Sequence, residues 1–78
     1  MNAQEKAIID QCQKWYDHAE SHENDYLKQR AHLWAADYMH GLSMTCVLFD
    51  CTSVLAEVQT IQYKCRDRAA EIRSADHE

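Results

Sequence analysis

The chain has 78 residues, of which 46% are hydrophobic and 27% charged, with one glycine, no proline, and 13 acids against 8 bases for a formal charge of −5. A chain this short buries only about 60% of its unfolded surface, which leaves room for one domain, 1–78, and none for a deep catalytic pocket. Its apolar content excludes disorder. The scarcity of Gly and Pro argues against the tight turns of a multi-stranded β fold. The expectation is an all-α, non-enzymatic protein without a cofactor.

Asn2 followed by Glu5 has the spacing of a capping box, which satisfies free amide groups at a helix start. From there Ile8, Cys12, Trp15, Ala19, His22 and Tyr26 repeat at alternating steps of four and three, the seam of a heptad. A neighbouring stripe runs through Leu27, Ala31, Trp34 and Tyr38. Gly41, the sole glycine, is suited to the left-handed residue that ends a helix, with Leu42 folding back and Ser43 capping the next helix.

The second half continues the alternation through Met44, Leu48, Cys51, Leu55, Val58, Gln62, Cys65, Ala69 and Ile72, flanked by Val47, Val54 and Ile61. The pattern predicts an antiparallel two-helix hairpin, with helices of about 3–40 and 43–74. A turn near residue 42 pairs Cys12 with Ile72, Ala19 with Cys65, His22 with Gln62 and Tyr26 with Val58. The polar run Ser21-His22-Glu23-Asn24-Asp25 holds weak helix formers and capping residues. It supplies the alternative, a three-helix arrangement broken near 21–25.

No basic and apolar leader is visible, and no stretch reaches the ~18 uncharged apolar residues that span a bilayer. Cys12, Cys46, Cys51 and Cys65 occupy apolar positions of a helical pattern and none forms a CxxC pair, so they read as reduced core thiols of a cytoplasmic protein.

Each predicted helix carries more apolar surface than one seam consumes. Adjacent large residues such as Trp15-Tyr16, Leu33-Trp34 and Val54-Leu55 cannot share one stripe, and a helix that is apolar nearly all round is a buried one. The surplus predicts a covering partner. A two-fold homodimer forming a four-helix bundle is the economical form, and a different protein covering the same face is the other. Tyr16, Trp34, Tyr38, Phe49 and Val54 are the candidate contact residues, because aromatic side chains are enriched among those that dominate interfaces.

The reading is therefore a small acidic module that dimerises and binds or occludes another protein. An alternative is an inhibitor of a nucleic-acid-processing complex, of the kind small phage proteins often are. There, Glu20, Glu23 and Asp25 would form an acidic docking face. The chain itself is not expected to bind nucleic acid, because the bases Lys64, Arg66, Arg68 and Arg73 are interleaved with Asp67 and Glu71 and the net charge is negative. A third reading is a metal-binding bundle. His18 and His22 lie four apart and can reach one ion, but a zinc site needs further ligands. Asp37 and His40 have a metal-motif spacing without the matching second motif.

Overall fold

The computed structural model describes residues 2–50 and 52–76, with Asp76 described by its backbone alone. Three α-helices pack together among the described residues: α1 (Ala3–Glu20), α2 (Asp25–Leu48) and α3 (Thr52–Asp76). The chain is all-α, as expected, and it follows the three-helix alternative rather than the two-helix hairpin.

The first helix starts where the capping box predicts. The Glu5 amide donates to Asn2 Oδ1 at 2.8 Å, and the Asn2 amide reaches back to Glu5 Oε1 at 3.5 Å. It ends at Ser21, whose amide donates to carbonyls of the last turn. Asn24 then caps α2 by accepting from the Leu27 amide at 3.0 Å. Two capping side chains separated by three residues give the chain a stop and a start with no apolar side chain between them, so the helix breaks here.

The second break is not at Gly41. That residue lies inside α2 without a positive φ. Ser43 does not cap a helix: it is buried and donates its hydroxyl to the Met39 carbonyl at 2.9 Å. Thr45 donates to the Gly41 carbonyl at 3.1 Å in the same way. A mid-helix glycine costs only about 1 kcal/mol relative to alanine, and burial of Met39 before it and Cys46 beyond it outweighs that. The chain turns instead at Phe49 and Asp50, where Asp50 adopts φ 61°. Aspartate tolerates this left-handed conformation because its short polar side chain can bond locally.

Moving the turn changes the register. Gln29 and Leu33 of α2 line one groove with Ala70 and Arg66 of α3, which is an antiparallel alignment centred near residue 50. α1 runs parallel to α3. Glu5 meets Ser53, Tyr16 meets Lys64 and Glu20 meets Arg68, each pair 48 residues apart. This register replaces the pairings expected from a turn at residue 42. His22 in particular cannot face Gln62, which stands level with Lys14. Tyr26, Met44 and Leu48, placed on the seam by the heptad reading, are exposed.

The core is built from small and flexible residues. Cys12, Ala35, Ala36, Met39, Val58, Ile61 and Cys65 form one buried cluster, with Ile8, Trp15, Tyr16 and Leu42 packed against its edge. Alanine and cysteine let helices approach closely, and Met39 fills the space between them. Burial pushes the Cys65 thiol up to about 11, and burial followed by the nearby Cys46 raises Cys12. These groups therefore behave as neutral hydrophobes, as the sequence suggested, while Cys51 lies outside the described residues. The bundle measures 43 × 19 × 14 Å, a flat rod in which α1 and α3 pack on one side of α2 and no other described element covers its far side. No helix among the described residues is long and apolar enough to cross a membrane.

Candidate protein interface

α2 carries two heptad seams. The inner one runs through His32, Ala36, Met39, Ser43 and Cys46, all buried. The outer one runs through Ala31, Trp34, Tyr38, Gly41, Thr45 and Leu48, displaced from the first by about 140° around the helix axis. Trp34 is 64% exposed, Tyr38 49% and Leu48 77%, and Phe49, at the end of the helix, is 74% exposed.

The outer aromatics are held in place. Tyr38 packs edge-on against the half-buried Trp15 of α1 with ring centroids 4.0 Å apart, and Trp34 lies 6.0 Å from Tyr38 on its other side. Aromatic contacts of this kind contribute about 0.5–1.5 kcal/mol beyond burial, which limits the rotamer freedom a partner would have to remove. Beside them, Asp37, Tyr38, Gly41, Leu42 and Thr45 line a shallow depression. A side-chain carbon built at Gly41 would meet nothing within 4 Å.

The remaining sequence candidates divide. Tyr16 is half-buried, its ring 4.9 Å from His32 and 4.3 Å from the Lys64 ammonium, so it serves the α1–α3 contact. Val54 is fully buried and is a core residue of α3 rather than a contact surface. Glu23 and Asp25 are exposed, with Asp25 in the first turn of α2, where the helix dipole favours an acid. Glu20 is not part of a free acidic face, because its Oε1 accepts from Arg68 Nε at 2.6 Å and from His32 Nε2 at 2.8 Å. His18 and His22 meet edge to face, with ring centroids 5.2 Å apart. No group of three or more candidate metal ligands occurs among the described residues.

Sequence reading missed His32, which is wholly buried at the junction of the three helices. A carboxylate can only accept, so the bond to Glu20 places the proton on Nε2. His32 Nδ1 is left as a buried nitrogen without a hydrogen-bond partner. Burial and the bare Nδ1 disfavour the imidazolium. Burial lowers the His32 pKa, and the opposing pull of Glu20 does not restore it. Burial alone would raise the Glu20 carboxyl, but its bonds to Arg68 and His32 outweigh that and hold it below its usual value. The available signal was the four-three spacing of His32 with Ala36 and Met39. It was masked because these residues are less hydrophobic than Trp34 and Tyr38 on the opposite side.

Fold and surface together define a small three-helix bundle with one ordered, apolar, unpartnered helix face. No protein family, curated protein or solved structure matches the chain.

Proposed function

We propose that this chain is a non-catalytic protein–protein interaction module that uses the outer seam of α2 as its docking surface. The observation that carries the reading is the inversion of side-chain size on α2: the large aromatics face outward while alanine, serine and cysteine face the core. A protein under selection for the fold alone gains more by burying the aromatics, since a large buried side chain contributes about 1.5–3 kcal/mol. An exposed row of this kind marks a site that another surface covers. The module works by contact, through bridging or occlusion of what it binds. Electrostatic docking through Glu20, Glu23 and Asp25 has less support, because Glu20 is neutralised inside the bundle.

The test is a pull-down from host lysate with tagged wild-type chain and with Trp34→Ala combined with Leu48→Ser. The expected result is a stoichiometric bound protein, or a second copy of the chain, retained by the wild type and lost by the variant while its helical circular dichroism is unchanged. Equal recovery by both chains would contradict the proposal.

A further inference from the structure

We infer that the occupant of the α2 outer seam is a second copy of this chain, docked antiparallel, with Gly41 serving as the socket for Tyr38 of the other copy. This deepens the reading of the outer seam as a docking surface and rests on it.

The argument begins from size. In a parallel, in-register pairing Trp34 would meet Trp34, Tyr38 would meet Tyr38, and Gly41 would face Gly41 across a gap. Bulky pairs and voids in one interface are both unfavourable. In an antiparallel pairing, heptad layers join the two kinds of seam position. The register in which facing residue numbers total 79 sets Tyr38 against Gly41, Trp34 against Thr45 and Leu48 against Ala31. Each large residue meets a small one, and the two-fold axis repeats all three layers. One heptad away, Trp34 meets Tyr38, Ala31 meets Gly41, and Leu48 lies beyond the overlap. A two-fold pairing also requires one patch to complement itself, and this seam does so.

Two further observations fit the same arrangement. Gly41 has no positive φ, and nothing in its own chain occupies the space where its side chain would be. Within the single chain a glycine there has no steric cause, whereas a helix packed across it supplies one. The shallow depression is lined by both Gly41 and Thr45, the small residues that the same register sets against Tyr38 and Trp34 of the second copy.

The area is adequate. Trp34, Tyr38, Leu48 and the flanking Met44, all about half exposed or more, together offer on the order of 500 Å² per copy, the larger part of the ~800 Å² per partner of a standard stable pair. Polar neighbours such as Arg30 and Thr45 supply the rest.

Gly41→Ala gives the test, because the proposal requires it to act in opposite directions on fold and assembly. The added methyl meets open space in the single bundle and improves helix propensity, so the melting temperature at high dilution should stay equal or rise. The same methyl intrudes on the Tyr38 ring of the second copy, so the dimer dissociation constant from sedimentation equilibrium should rise at least tenfold. Gly41→Leu should abolish the dimer. A wild-type chain that stays monomeric at high micromolar concentration overturns the proposal, as does a Gly41→Leu dimer as tight as wild type. A monomer that still captures a lysate protein dependent on Trp34 and Leu48 would overturn the self-pairing while leaving the docking surface standing. A monomer whose lysate partners ignore both residues would overturn both.

Discussion

Along one side of α2 run His32, Ala36, Met39, Ser43 and Cys46; along the other run Trp34, Tyr38, Thr45 and Leu48. The first side is buried and the second exposed, yet the second has the larger side chains. The difference shows that burial in this bundle follows shape and hydrogen bonding more than side-chain size. The inner side is narrow enough for α1 and α3 to close on it, and each of its polar side chains makes one bond there, Ser43 to the Met39 carbonyl and His32 through Nε2 to Glu20, while His32 Nδ1 stays without one. The outer side is wide and aromatic, and α1 and α3 leave it open.

The sharpest way to break the comparison is to truncate one residue on each side. Met39→Ala removes a fully buried side chain at the centre of the cluster. It should cost about 2–5 kcal/mol and lower the melting temperature by at least about 10 °C, as read by circular dichroism. If it melts with the wild type, Met39 is not the centre of the core.

The pH dependence of stability comes next. The folded pKa of His32 lies below the ordinary 6.5, so between the two values the unfolded chain binds more protons than the folded one. The contribution of neutral His32 is present in full above about pH 6.5 and is lost as pH falls below it. Glu20, whose carboxyl is also held down, adds a loss at lower pH as it protonates. Melting curves from pH 8 to 5 should fall toward acid, and His32→Leu should flatten the upper part of that slope. An unchanged slope in His32→Leu would remove His32 as its source.

A smaller effect is expected at the first turn. Asn24→Ala deletes the cap of α2 and should cost about 1 kcal/mol, a loss of roughly 5 °C. The smallest effect is on the outer seam. Trp34→Ala with Leu48→Ser should cost the dilute chain only about 0.5 kcal/mol, the lower end of what the single 6.0 Å contact of Trp34 with Tyr38 is worth. A large loss there would mean that the outer face belongs to the fold.

Much of this architecture was legible in the residues. The Asn2–Glu5 box starts α1 where its spacing says. Val58, Gln62, Cys65, Ala69 and Ile72 are the buried stripe of α3, and Ser21 to Asp25 held the break as an alternative. Two positions misled for a physical reason. Gly41 has the composition of a helix stop, but glycine permits a left-handed turn without imposing one, and the burial on either side of it favoured continuing the helix. Asp50 ahead of Thr52 and Ser53 was the real turn signal, obscured by the apolar run from Met44 to Phe49. The heptad period was genuine but it does not determine register, because a four-three repeat matches another seam at every heptad shift. On α2, the exposure of Trp34 and Tyr38 was legible in their excess over one seam. His32 and the inward role of Val54 depend on which of two seams is buried, and that is decided by packing between helices.

The most direct test of the central claim is the solvent exposure of Trp34 as the chain is diluted. Trp15→Phe leaves Trp34 as the lone tryptophan reporter. The account predicts blue-shifted emission and weak acrylamide quenching at high micromolar concentration, where a second copy covers the ring. At nanomolar concentration the emission should shift to the red and quench readily. Ready quenching and red emission across the whole range would contradict it, because the outer face of α2 would then stay bare at concentrations where its own partner is abundant.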